Sequence, residues 1–241
     1  MKAMASDMDG TLVFDHEIHE GDLKAISRFQ DAGNLFGVCT GRAYKMCLDD
    51  ISKFKCDFVI SSSGASIKDH NGDTLYECTV DFKDIKNIYN QYEKETILIV
   101  IQADDSGYFK GRENGQSFHD FDSINQYQDS TIFGISLVFN TDEKARVVTE
   151  KINNEYKNLL GHQNKNSIDI VNRQCSKGNA IKKLKELLNI DIIGAIGDSY
   201  NDISMLSVAD QSYTFYDSPN EVKDIAGNVV HSLSEALDHF R

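Results

Sequence analysis

Two carboxylates two residues apart, Asp7 and Asp9 in Ser6-Asp7-Met8-Asp9-Gly10-Thr11-Leu12, follow the short apolar stretch Ala3-Met4-Ala5 and run into a glycine. A second acidic cluster, Gly197-Asp198-Ser199-Tyr200-Asn201-Asp202, also follows an apolar run, Ile192-Ile193-Gly194-Ala195-Ile196. Clustered negative charge costs stability unless a proton or a cation resolves it. A hard divalent cation with oxygen ligands does so, and Mg²⁺ is the usual one beside phosphate. Two acidic strand ends, far apart in the chain, are therefore expected to build one metal site in the fold.

The elements that must position them alternate in type. Residues 2–7 read as a strand, and 20–32 as a helix with Leu23, Ile26 and Phe29 along one face. Residues 35–39 form a second strand ending in Thr40-Gly41-Arg42, 44–54 a helix, and 57–60 a third strand before Ser61-Ser62-Ser63-Gly64. Strand and helix in alternation predict a parallel sheet with helices on its faces. Asp69-His70-Asn71-Gly72-Asp73 is a hairpin turn signal.

The pattern then changes. A helix over 82–94 precedes an apolar strand over 96–102. The polar stretch 103–130 carries short strand candidates near Tyr108-Phe109 and Ser117-Phe118. A strand over 133–139 follows, then a helix to about residue 160 opened by Asn140 and Glu143 as a capping box, then a strand over 167–171. Parallel-sheet character returns after Lys177, where Ala180, Ile181, Leu184, Leu187 and Leu188 mark one helix face before the strand 192–196. Ser218-Pro219-Asn220-Glu221 reads as a capping box with proline at the first helical position. The expected fold is α/β: a doubly wound, Rossmann-like parallel-sheet core over 1–80 and 174–241, with an inserted α+β domain over 81–173.

Composition narrows the function. The 241 residues carry a formal charge of −13, and backbone binding to nucleic acid needs a basic surface. The five cysteines are odd in number and contain no CxxC pair, which fits a reducing compartment and no zinc site. No apolar signal core precedes Asp7 and no stretch approaches transmembrane length. The expectation is a soluble cytoplasmic protein with no membrane or nucleic-acid partner; acidic character does not forbid a small phosphorylated substrate, since a metal and one or two cations can reverse the local field. The sequence sets no oligomeric state.

In open parallel sheets ligands bind beyond the carboxyl ends of the strands, where Asp7, Thr40, Ser61 to Ser63 and Asp198 all fall. Their order, Asp7-Met8-Asp9-Gly10-Thr11, then Thr40-Gly41-Arg42, then Lys177-Gly178, then Gly197-Asp198-Ser199-Tyr200-Asn201-Asp202, resembles the haloacid dehalogenase-like phosphohydrolases, in particular their Cof-type branch. The resemblance spans essentially the whole chain and implies a catalytic core with the insertion as its cap domain. It implies a Mg²⁺-dependent phosphatase working through a phosphoaspartate. Asp7 would be the nucleophile and Asp9 the general acid and base, with Asp9 also binding the metal through its carbonyl. Thr40 would donate to a phosphoryl oxygen, and Lys177 would offset the repulsion between Asp7 and phosphate. Asp7, Asp9 and Asp198 would hold Mg²⁺, with Asn201 and Asp202 completing its shell or orienting Lys177. Substrate contacts are expected from Gly41, Arg42 and Ser63, and from Lys110, Arg112 and His119 in the insertion, with sugar phosphates as the expected class. Two positions depart from the family pattern: Ser63 stands where many relatives have asparagine, and Tyr216-Asp217-Ser218-Pro219-Asn220 replaces a glycine-asparagine motif. A phosphomutase and a phospho-acceptor signalling module are the alternatives.

Overall fold

The computed structural model describes residues 1–113 and 116–240. The chain divides into two compact units. One comprises Met1–Gly41, Cys47–Glu77 and Ser176–Arg241, the other Arg42–Met46 and Cys78–Cys175. In chain order the elements of the first unit are β1 (Lys2–Ser6), α1 (Glu20–Asp31), β2 (Leu35–Cys39), α2 (Leu48–Ile51), β3 (Phe58–Ser61), β4 (Ser66–Asp69) and β5 (Thr74–Glu77). The second unit contributes α3 (Phe82–Tyr92), β6 (Leu98–Ala103), β7 (Ser106–Glu113), β8 (Gln116–His119), β9 (Ile132–Val138), α4 (Asp142–Glu155), β10 (Leu159–Asn164) and β11 (Ser167–Asn172). The chain then returns to the first unit through α5 (Lys177–Leu187), β12 (Ile192–Ile196), α6 (Ile203–Leu206), β13 (Gln211–Phe215), α7 (Asn220–Ile225), β14 (Asn228–Val230) and α8 (Leu233–Phe240).

The first unit is built on one sheet of order β14-β13-β12-β1-β2-β3-β4-β5. It is parallel from β14 to β3, and β4 and β5 return as an antiparallel hairpin. The hairpin turns where the Asp-Asn-Gly signal stands: Asp69 Oδ1 accepts from the amides of Asn71 and Asp73 at 2.8 and 2.9 Å. The central strand β1 is covered on both faces, which is why Ala3, Met4 and Ala5 read as a continuous apolar run. On one face Ala180, Ile181 and Leu184 of α5, Met205 and Leu206 of α6 and Val222 of α7 pack with Ala3, Ala5 and Ala195. On the other, Phe29 of α1 stacks on Phe240 of α8 with ring centroids 5.8 Å apart. This is the doubly wound core expected from the alternation.

The second unit holds an antiparallel sheet of order β10-β11-β9-β6-β7-β8. Alternate residues of its strands (Ile99, Ile101, Ile135, Leu137, Ile168, Ile170) join Ile85, Ile88 and Tyr92 of α3 and Ala145, Val148 and Ile152 of α4 in one core. A sheet covered on one face by helices accounts for the switch in pattern after residue 80.

Several local expectations need correction. Residues 44–54 are not one helix: a 3₁₀ turn, Tyr44–Cys47, precedes the single turn of α2. The amides of Ser52 and Lys53 then bond back to Leu48 and Asp50. Helix α4 is capped by Thr141, not Asn140, through the Lys144 amide at 3.2 Å. It stops at Glu155, because Asn153 pairs its amide group with both backbone groups of Gly161 (2.7 and 3.2 Å) and starts β10 where helix was expected. Pro219 precedes α7 as its N-cap residue and Ser218 does not cap it. The polar stretch supplies β7 and β8, longer than the two short strands expected.

Gly37 of β2 marks a close approach: a Cβ there would stand 2.2 Å from the Phe58 carbonyl oxygen of β3. Gly37→Ala is expected to destabilise the protein by about 1–3 kcal/mol through forced strand separation. Gly227→Ala, where the nearest atom would be 3.6 Å away, should be near neutral. Urea unfolding of the two variants checks this; equal midpoints would refute the crowding at Gly37.

Candidate active site

Sheet register performs the first step of assembly. Ala5 pairs with Ala195 and Ser6 with Ile196, and the Asp7 amide extends the ladder to the Ile196 carbonyl at 2.9 Å. Both strands end together, so the two acidic motifs leave the sheet as neighbours. Past β1 the chain curls around the Met8 carbonyl, which accepts from the amides of Thr11, Leu12 and Val13 at 3.3, 3.0 and 2.8 Å. The curl buries Asp7 and exposes Asp9. Gly10 sits at φ +84°, and a Cβ there would come within 3.0 Å of Asp198 Oδ2. Glycine is thus required at that position both for its backbone and for the space.

The side chains converge on a lysine. Lys177, the first residue of α5 and 2% exposed, reaches Asp7 Oδ1 at 2.5 Å and Asp202 Oδ1 at 2.7 Å. Gly178 lets α5 lie against the backbone at Ser204, since a Cβ there would be 2.2 Å from its carbonyl oxygen. Asp202 spends its other oxygen, Oδ2, on the amides of Asp198 and Ser199, both at 3.0 Å. Thr11 donates to Asp198 Oδ1 at 2.8 Å. Asp7, Asp198 and Asp202 each offer a carboxylate oxygen, and these atoms all lie within 4.8 Å of one another.

The charge does not balance. Three carboxylates face one ammonium, a surplus of two negative charges when all are ionised. Burial, followed by the nearby Asp202 charge, pushes the Asp7 carboxyl up to about 8 despite Lys177. Asp198 is also raised, chiefly by burial and then by Asp202 against the Thr11 hydrogen bond. Burial alone would lower Lys177, but Asp202 and Asp7 overcome it and hold the ammonium well above its usual range. A hard divalent cation fits this donor set, which is all oxygen and carries a matching charge deficit. Asp202 has both oxygens engaged, so Asp7 and Asp198 are the carboxylates suited to hold the ion. Asn201 Oδ1 is buried without a hydrogen-bond partner and adds a neutral oxygen in the same loop.

Thr40 is buried at the end of β2. Its amide bonds to Ile60 O at 2.9 Å and its carbonyl accepts from the Ser63 amide at 3.0 Å. Ser62 and Ser63 both take left-handed φ, 50° and 53°, before Gly64 at 97°, a strained run of the kind that concentrates at functional loops. Gly41 belongs with Thr40 in the first unit, whereas Arg42 groups with the second, its Nη1 3.5 Å from Met46 O. Lys110, Arg112 and His119 line one cavity of about 230 Å³ in the second unit, together with Glu93 and Phe118. Lys110 is bonded there to Tyr89 Oη at 2.6 Å and Glu93 Oε1 at 2.5 Å, and His119 Nε2 lies 3.2 Å from Asp122 Oδ1. The sequence reading gave Gly10 and Thr11 no task of their own; their fixed offsets from Asp7 were the available signal.

A family model described as haloacid dehalogenase-like hydrolase matches residues 4–236. The phosphatase YwpJ of Bacillus subtilis is 26% identical, with 100% of both chains covered. The 5-amino-6-(5-phospho-D-ribitylamino)uracil phosphatase YwtE of Bacillus subtilis is 26% identical over 98% of this chain and 94% of its own. In fold, the chain resembles a subclass IIB sugar phosphatase with a TM-score of 0.85 at 19% identity, covering 100% of this chain and 99% of that one. Among the described residues, no helix is long and apolar enough to cross a membrane.

The raised Asp7 carboxyl makes stability depend on pH. Its ordinary value is 3.8, and in the metal-free fold it rises to about 8. Between these values the folded state binds more protons than the unfolded one, so the Asp7 contribution is lost as pH rises through that window. Asp7→Asn cannot ionise. The melting temperature of the metal-free variant is expected to fall less than that of the wild type between about pH 5 and pH 8; parallel profiles would contradict the raised value.

Proposed function

This chain belongs to the haloacid dehalogenase-like hydrolase family and is a phosphatase of that family; from that premise we propose that it hydrolyses small phosphorylated metabolites, sugar or polyol phosphates, with Mg²⁺ and through a phosphoaspartate. The observation that carries the reading is the buried Lys177 ammonium shared by Asp7 and Asp202, with Asp198 beside them. Phosphoryl transfer is mainly positioning and electrostatic stabilisation, and this cluster supplies both.

Asp7, Asp198 and the Asp9 carbonyl would hold Mg²⁺, with Asn201 Oδ1 near them to complete or orient the shell. When bound, the ion neutralises phosphoryl charge and the carboxylate surplus. In this proposal Asp7 attacks phosphorus and the leaving alkoxide takes a proton from Asp9. Asp9 then removes a proton from the water that attacks the acyl phosphate, restoring Asp7 and releasing phosphate. The exposure of Asp9 supports a group that must exchange protons with an incoming alcohol and with water. Lys177 reduces the repulsion between carboxylate and phosphate, and Asp202 keeps the lysine in place. Thr40 is assigned as a hydrogen-bond donor to a phosphoryl oxygen, with Gly41, Arg42 and Ser63 beside it in sequence or by backbone contact as substrate-binding residues.

The phosphate class follows from the family, and the polyol class from the ribityl phosphate handled by the YwtE relative. Lys110, Arg112 and His119 are assigned as substrate-binding residues of the second unit, because they share one cavity of that unit that mixes charge with apolar lining.

A phosphate-release screen over sugar phosphates, polyol phosphates, nucleotides and flavin mononucleotide tests the reading. Turnover is expected to vanish with excess chelator and return with Mg²⁺. Asp7→Asn should drop below roughly a thousandth of wild-type activity, and Asp9→Asn should lose about 10²–10⁴-fold, both with unchanged circular dichroism. Undiminished activity in Asp7→Asn would end the nucleophile assignment. Isomerised sugar phosphate without phosphate release would make the enzyme a mutase.

A further inference from the structure

The acidic loop after β12 is held from a strand that carries no charged group in the site. Thr214 of β13 is fully buried, and its Oγ1 donates to the Gly197 carbonyl at 2.7 Å. The same oxygen lies 2.8 Å from Ser218 Oγ, also buried, and Ser218 Oγ accepts from the Phe215 amide at 3.3 Å. A hydroxyl has one proton. Thr214 Oγ1 is placed to donate to the Gly197 carbonyl or to Ser218 Oγ, and the carbonyl is the closer acceptor. Ser218 Oγ, held by the Phe215 amide, flanks the Thr214 hydroxyl and limits its rotation.

The peptide that this hydroxyl grips is the one before Asp198. Its carbonyl faces Thr214, and its N–H, on Asp198, donates to Asp202 Oδ2 at 3.0 Å. The Gly197 amide itself reaches back to Tyr213 O at 3.3 Å. The peptide plane is therefore pinned on opposite sides: by a neutral hydroxyl on β13 and by the carboxylate that binds Lys177. Gly197 cannot relieve a misplaced plane by bulk, since a Cβ there would meet the Asp202 carboxyl carbon at 2.5 Å. Being glycine, it is instead the residue most free to rotate if either pin is lost.

We propose that Thr214, backed by Ser218, is a positioning residue for the cation site: it fixes the Gly197–Asp198 peptide so that the Asp198 carboxylate is aimed before the ion arrives. The proposal rests on the metal reading given above. Groups that orient metal ligands from behind change affinity by roughly 10–100-fold when removed.

The test is direct binding of Mn²⁺ to the purified protein, with free ion counted by its paramagnetic resonance, so that no turnover is needed. Thr214→Val is nearly the same shape but has no proton to give, and is expected to weaken Mn²⁺ binding about tenfold or more. Thr214→Ser restores the hydroxyl and should bind within about twofold of wild type, which a role in packing alone would not produce. Should Thr214→Val fail to fold, Ser218→Ala is read instead, with an expected weakening of about threefold or more, at the low end of such effects. Wild-type affinity in the folded Thr214→Val protein, or in Ser218→Ala where that variant must be used, overturns the proposal. So does equal loss in Thr214→Val and Thr214→Ser. Absence of Mn²⁺ binding by the wild type itself would overturn the metal reading together with this one, a distinguishable result.

Discussion

One buried ammonium between two buried carboxylates governs this site. Lys177 touches Asp7 and Asp202 at 2.5 and 2.7 Å with almost no exposure to water. Removing charges from solvent costs several kcal/mol per ion, and the pair repays that only where every remaining lone pair has a use. Asp202 meets the condition, because its second oxygen takes two backbone amides. Asp7 takes Lys177 on one oxygen, and burial, then the Asp202 charge, push its carboxyl up to about 8. In the proposed mechanism these two aspartates, equal in type and sharing one lysine, take different parts: Asp202 holds the lysine and Asp7 attacks phosphorus.

The fold makes that difference possible by crowding backbone where side chains would otherwise stand. Gly10 admits Asp198, Gly178 admits the backbone at Ser204, and Gly197 admits Asp202. Each glycine brings an acidic or basic element closer than a Cβ would allow, and parallel pairing of β1 with β12 supplies the alignment. Stability is thereby traded for a concentrated field, the usual condition of a preorganised site.

Much of this was legible in the sequence, for physical reasons that differ by element. The strand 192–196 was readable to the residue because a central parallel strand, buried on both faces, has an uninterrupted apolar run. The hairpin at Asn71-Gly72 was readable because its turn needs a residue tolerant of positive φ. The end of α4 was not: the signal is the pairing of Asn153 with Gly161, a contact across the turn that no local propensity encodes. At the site, Asp7, Asp198 and Asp202 were legible as acidic clusters at strand ends and Lys177 only through the family resemblance, and the structure brings them together. Thr214 was illegible, since a threonine in a strand is ordinary and only the neighbouring strand gives it a carbonyl to hold. Ser218 was misread as a helix cap for the same cause: its hydroxyl turns to Thr214 instead.

The raised Asp7 carboxyl carries a further consequence for reactivity. Burial and the Asp202 charge push the Asp7 carboxyl up, so the cluster by itself disfavours the ionised form that the proposed attack on phosphorus needs. Lys177 cannot reverse this alone, because Asp202 competes for the same ammonium. An added positive charge would lower the cost of ionising a cluster in which three carboxylates face one ammonium, and the oxygen-only donor set suits a hard cation. In the proposed mechanism, ionisation of Asp7 would thus be tied by electrostatics to the ion that also neutralises phosphate.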